Sequence, residues 1–180
     1  INLTGTSAAI ATAVGDVNTF SGTPTAALGD AHTIAQLKTI NDAISGQLTL
    51  TDYSVALSGT SAQVAAALDG TFASTYTGTA AVSDPHTLDQ LKTINNGTTG
   101  TITLNDVSVA LTGSTADVKA ALDGTFAAGY TGNVTLNDAN NANVAAADIS
   151  TIAGDTAGTV TVSNNINITG TSAAIATAVG

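Results

Sequence analysis

In the segment Thr99–Asp106 the apolar Ile102 and Leu104 alternate with Thr101, Thr103 and Asn105, the period of two expected of a strand with one buried face. The same alternation recurs at Leu48/Leu50, Ala80/Val82, Val134/Leu136 and Val160/Val162, and Val107–Gly113 adds another alternating stretch. Elsewhere the apolar spacing changes to three and four. Ile34, Leu37 and Ile40 fall on one face, as do Leu88, Leu91 and Ile94, Val64 with Leu68, and Val118 with Leu122. These spacings predict helices of two to three turns, each with one buried stripe. Thr33 with Gln36, Thr87 with Gln90, Thr60 with Gln63 and Ser114 with Asp117 have capping-box spacing, in which a hydroxyl accepts from the first-turn N–H groups and the side chain three residues on reaches back. Gly70 and Gly124, each just after Leu-Asp, fit helix stops. The AQVAAAL and DVKAAL segments favour helix over strand, so the pattern predicts mixed α/β rather than an all-β coil.

The pattern repeats. Val55–Phe72 (VALSGTSAQVAAALDGTF) returns as Val109–Phe126 (VALTGSTADVKAALDGTF), with a weaker copy beginning at Ile1 and a fourth at Ile166. Between them lies a second module, Asp30–Asn41 and Asp84–Asn95, with a degenerate third version around Asp148–Ile152 after a short insertion. Ile1–Gly15 and Ile166–Gly180 differ at one position only, so a larger unit, running from Ile1 to Asn165, contains the shorter ones. The repeats therefore run 1–54, 55–108, 109–165 and 166–180, the last being the start of another, all within one continuous unit over 1–180. The motif Gly-x-x-x-x-x-Asp, at Gly46, Gly78, Gly100 and Gly132, alternates between a long and a short spacing. This predicts a right-handed α/β solenoid of alternating ~22- and ~32-residue coils, with one parallel sheet of stacked short strands and short helices on the other side. Both ends fall inside a repeat without a polar cap, which predicts self-association through the solenoid ends or continuation into a longer parent chain.

Composition narrows the function. All 13 acidic residues are Asp, against three lysines (Lys38, Lys92, Lys119) and no Arg, for a net charge of −10. Such a surface repels phosphate, which argues against nucleic-acid binding. No stretch of about 18 apolar residues is present to insert into a membrane. Charged residues are 9% of the chain, where about 25% is usual, so Thr, Ser, Asn and Gly must supply solubility. Without cysteine there is neither a disulfide framework nor thiol chemistry.

Few residues offer reactive chemistry. His32 and His86 occupy equivalent places in Asp-x-His-Thr and read as helix-entry residues bonded to the preceding Asp. No nucleophile elbow, phosphate loop or Glu is present, so no enzyme is expected. Asp52, Asp84, Asp106 and Asp138 are expected to stack at the ends of neighbouring strands, roughly 5 Å apart, where calcium would relieve their repulsion. They are the candidate metal ligands, calcium being the candidate ion and no other cofactor expected. Asp is also a common turn residue that bonds its own backbone two residues on. Thr49/Thr51, Thr79, Thr101/Thr103, Thr135 and Thr159/Thr161 make an outward ladder suited to ice, broken at Gln47, Ala81 and Asn133. Phe72 with Phe126, and Tyr76 with Tyr130, recur at the repeat offset and read as core, with the Tyr hydroxyls at its rim.

The LTGTSA…AALDGTF and HTLDQLKTIN…GTITLND modules resemble tandem repeats of very large secreted or cell-surface bacterial proteins, of the kind found in marine cyanobacteria and of S-layer and adhesin type. The resemblance covers nearly the whole chain and implies extracellular display without catalytic residues. The expected role is a structural segment of a filament, surface layer or adhesin stalk. The alternative is a binding module, for calcium through the Asp row or for ice through the Thr ladder.

Overall fold

The computed structural model describes residues 1–180. Along the chain it places β1 (Asn2–Gly5), α1 (Ser7–Gly15), β2 (Thr25–Leu28), α2 (Ile34–Ala43), β3 (Gln47–Thr49), β4 (Leu57–Gly59), α3 (Ser61–Leu68) and β5 (Thr71–Phe72). There follow β6 (Ala80–Val82), α4 (Leu88–Gly97), β7 (Ile102–Thr103), β8 (Leu111–Gly113), α5 (Thr115–Leu122) and β9 (Val134–Leu136). The chain closes with β10 (Asn143–Ala145), α6 (Ala146–Asp155), β11 (Val160–Val162), β12 (Asn167–Thr169) and α7 (Ser172–Val179). The helices form where the apolar stripes predict them. Leu37 and Ile40 of α2, Leu91 and Ile94 of α4, and Val64 and Val118 of α3 and α5 are completely buried.

The three Thr/Gln capping boxes close reciprocally. Thr33, Thr60 and Thr87 each accept from the backbone of the Gln three residues on, whose side chain accepts from the Thr backbone N–H. Ser114 caps α5 through its hydroxyl, but Asp117 turns its carboxylate to that hydroxyl instead of returning to the backbone. The degenerate copy, α6, starts at Ala145 with no side-chain cap. α3 and α5 end at Leu68 and Leu122, just short of Gly70 and Gly124.

The sheet arrangement corrects the predicted fold. The strands do not form one continuous parallel sheet along a stacked solenoid; the twelve strands divide into four small parallel sheets, in the orders β1-β2-β3-β5, β4-β6-β7, β11-β9-β8 and β10-β12. With seven helices, each packed against the next in sequence, the result is a compact α/β fold. The alternation of ~22- and ~32-residue coils is also corrected. Strand partners are as near in sequence as Ala26 and Leu48, and nowhere further apart than Val134 and Val160, so no step has the long spacing. Two such steps fall short of the distance from Val55 to Val109, and each repeat therefore carries a surplus. Residues 50–56 leave β3, belong to no strand, and deliver the chain to β4 in a different sheet. Each sheet ends after two to four strands, and the expectation of a β-solenoid rod serving as a secreted filament falls with the continuous sheet. The stretch Val107–Gly113 contributes strand only at Leu111–Gly113 for the same reason.

Two groups of buried side chains make the core, one from Ile10 to Ile102 and one from Leu91 to Ile152. Leu104 and Phe126 pack against both and join them. The inward strand residues Leu48, Ala80, Ile102, Val134 and Leu136 are at most 2% exposed, which fits the period-two pattern.

Candidate functional site

The titratable groups nearest to a site are the two histidines, and the fold uses them differently from the sequence reading. His32 and His86 enter α2 and α4 but do not bond the preceding Asp. His32 Nε2 lies 2.9 Å from the Tyr76 hydroxyl, and His86 Nε2 lies 3.0 Å from that of Tyr130. The tyrosines in turn donate to backbone carbonyls, Tyr76 to Val55 at 2.7 Å and Tyr130 to Val109 at 2.6 Å. A phenol has one proton, and a carbonyl can only accept it, so the imidazole Nε2 must be the N–H that donates to the phenol oxygen. Nδ1 is thereby left as a bare acceptor, buried and without a partner in both rings. Phe72 and Phe126 stand 5.6 and 6.4 Å from Tyr76 and Tyr130, completing each cluster.

Burial holds both imidazole pKa values below 6.5, opposed by Asp52 and Asp30 at His32 and by Asp106 and Asp84 at His86. Burial, reinforced by Asp52 or Asp106, also pushes both tyrosine hydroxyls well above 10. Both rings are thus neutral at pH 7, with the phenols protonated. Neither ring meets a Ser or Thr hydroxyl that it could activate as a nucleophile. The chemistry of the triplet is cohesive, in that each ties the entry of one helix to a strand-to-strand connection elsewhere.

The four candidate metal ligands are not brought together. Asp84 and Asp138 receive the first backbone N–H of α3 and α5, from Ser61 at 2.6 Å and from Thr115 at 3.1 Å. Asp30 does the same for Ser7 at the start of α1, also at 2.6 Å. Asp52 and Asp106 bend instead to Ser54 and Ser108, two residues on; those side-chain and backbone bonds hold their carboxyls below the ordinary range. No cluster of three or more His, Cys, Asp or Glu able to hold a metal ion is present. Of the spacings that aligned the four aspartates, the short one describes neighbours, Gly100 lying against Gly78, but the long one does not, since Gly78 sits against Val55 and Gly132 against Val109.

The threonine ladder is equally divided. Thr49 pairs with Ala27, Thr103 with Ala81, and only Thr112–Thr135–Thr161 forms an unbroken row of three.

Further polar groups tie neighbouring segments together; of these only Asp117 had an expected role, as the partner of Ser114 at the start of α5. Asn41 and Asn95 donate to the Ala67 and Ala120 carbonyls of the following helix, at 2.5 and 2.7 Å. Lys92 reaches Asp117 at 2.7 Å and Lys119 reaches Asp148 at 2.6 Å, both across a helix pair. Lys38, whose counterpart to Asp117 is Gln63, turns to Asp42 in its own helix. A signal for the asparagines does exist in the sequence: they hold the same place in LKTIN of successive repeats, each at the end of a helix stripe.

A cavity of about 640 Å³ is a polar groove between the turn after α3 and the C-terminal end of α4, lined by Asp69, Thr71, Lys92, Asn95 and Thr99 among others. Its one cation is already held by Asp117. A second, about 480 Å³ and mostly apolar, opens between α6, β11, β12 and α7. No helix is long and apolar enough to cross a membrane. Comparison of the chain with protein-family models, with curated proteins and with solved structures gives no match.

Proposed function

We propose that the protein is a structural repeat module, a non-catalytic element whose reactive side chains are committed to holding successive segments of its own chain together. One observation carries this reading: the same kinds of polar coupling occur in successive repeats, and each links separate segments of the fold. His–Tyr, Tyr–carbonyl, Asp–helix start and Asn–carbonyl contacts all join residues far apart in sequence, from His32 with Tyr76 to Ser61 with Asp84. A binding or catalytic site would instead gather such groups around a space for a ligand.

The test is mechanical. Pulling single chains from their ends should give a small number of cooperative events, each releasing the length of one repeat such as 55–108, roughly 190 Å at about 3.5 Å per residue. Smooth extension at low force would refute a mechanical role. A calcium-dependent rise in the rupture force or in the unfolding temperature would favour a binding module in its place.

A further inference from the structure

The polar groove between the turn after α3 and the end of α4 lies well inside the chain, with α2 packed on α3 and α5 packed on α4. Its volume of about 640 Å³ matches that of small-molecule sites, about 300–1,000 Å³, but its walls lack the apolar lining usual there. Leu68, Phe72 and Tyr76 are its only apolar or aromatic residues, and Leu68 and Tyr76 are buried. Half-buried Phe72 is therefore the one apolar surface offered to a ligand.

The same framework recurs one repeat later with a different lining. Thr98 Oγ1 donates to the Gly78 carbonyl at 2.7 Å and accepts from the Gly100 N–H at 3.0 Å. Thr156 does the same with Gly132 at 2.8 Å and Gly158 at 3.0 Å. Phe126 and Tyr130 take the places of Phe72 and Tyr76. Yet where Ser74, Thr75, Asn96 and Thr99 line the groove, the later repeat has Ala128, Gly129, Gly154 and Ala157. All eight positions are exposed, so the framework does not call for the polar set. Thr93 differs from its counterparts as well. Thr39 and Thr151 each donate to a carbonyl of their own helix at 2.9 Å, whereas Thr93 makes no such bond and lines the groove.

Charge selects the ligand class. Lys92 is held by Asp117, which leaves Asp69 as the only charged group free in the groove and disfavours an anion. We propose that this groove binds a neutral oligosaccharide. The hydroxyls of Ser74, Thr75, Thr93 and Thr99 and the amide of Asn96 each donate and accept, as sugar hydroxyls do, and the Asp69 carboxylate accepts from a pair of them. Phe72 meets the apolar C–H face of a sugar ring. None of these side chains takes part in the couplings that carry the structural role, so binding and that role stand or fall separately.

The test is a titration of the isotope-labelled full chain, followed by the NMR shifts of its backbone amides, with maltotriose, cellotriose and chitotriose as neutral probes and trigalacturonate as the anionic one. At least one neutral trisaccharide should give saturable shifts in the millimolar range, confined to residues 71–75 and 93–99, and trigalacturonate should give none. A fourfold variant, Ser74→Ala, Thr75→Gly, Asn96→Gly and Thr99→Ala, carries the residues of the later repeat at exposed positions and should keep the wild-type spectrum elsewhere. Its affinity for the same probe should fall at least about tenfold, since four hydrogen-bonding groups are lost. No saturable shift with any neutral probe, shifts centred outside the groove, equal binding of trigalacturonate, or a fourfold variant that binds as tightly as wild type would each overturn the proposal.

Discussion

The Tyr76 hydroxyl stands between His32 Nε2, 2.9 Å away, and the Val55 carbonyl, 2.7 Å away, so one phenol satisfies a buried donor and a buried acceptor at once. Replacing Tyr76 by Phe removes both bonds and strands the imidazole N–H and the carbonyl. We expect a loss of about 1–3 kcal/mol in urea unfolding, with a similar loss for Tyr130→Phe. Unchanged midpoints for both would show that the triplets hold nothing together.

The histidines make stability depend on pH in a defined window. Burial lowers both folded-state pKa values, so the unfolded chain binds protons more readily once pH falls below about 6.5. Stability contributed by the neutral rings is fully present above that value and is lost as pH falls from it towards the folded-state pKa. Urea midpoints measured from pH 8 to pH 5 should decline over the lower half of that range, and His32→Gln with His86→Gln should flatten the decline. An equal slope in the double variant would assign it to other groups.

The aspartates separate into two classes by what they touch. Asp84→Ala uncovers the first N–H of α3 and should cost about 1 kcal/mol, the usual value of a helix cap. Asp52→Ala breaks only an exposed turn and should leave the midpoint unchanged. Equal effects, or a dependence of either on added calcium, would restore the idea of a common row.

Where the chain entering β9 passes that entering β8, side-chain volume is excluded. A Cβ at Gly132 would lie 2.0 Å from the Val109 carbonyl oxygen, a backbone atom with no room to retreat, whereas one at Gly129 meets nothing within 4 Å. Gly132→Ala should therefore destabilise by about 1–3 kcal/mol or more, and Gly129→Ala should be close to neutral. Thermal unfolding of the two variants side by side decides the point.

What the sequence disclosed follows the range of each interaction. The Thr33/Gln36, Thr60/Gln63 and Thr87/Gln90 boxes join near neighbours, so their chemistry is visible locally, and all three helices begin where the boxes place them. The alternation around Leu48 and Ile102 showed which face is buried. It could not show which strand is the neighbour, because a period of two marks a face and leaves the partner open. Aligning Gly46 with Gly78 treated the surplus residues 50–56 as part of a longer coil, whereas they carry the chain from one sheet to the next. The continuous sheet and the aspartate row both followed from that alignment. The His–Tyr triplets do leave a trace in the sequence, since His32 stands to Tyr76 as His86 stands to Tyr130. Their contact nevertheless depends on tertiary packing that neither residue's local pattern encodes.

The carboxylates that receive Ser7, Ser61 and Thr115 are Asp30, Asp84 and Asp138, each well downstream of the helix it completes. A ribosome releasing the chain from its N-terminus exposes each helix before the residue that seals it. Until that residue follows, the first N–H of α1, α3 or α5 has no carboxylate to receive it, so these three helices are each completed by a later segment of the chain.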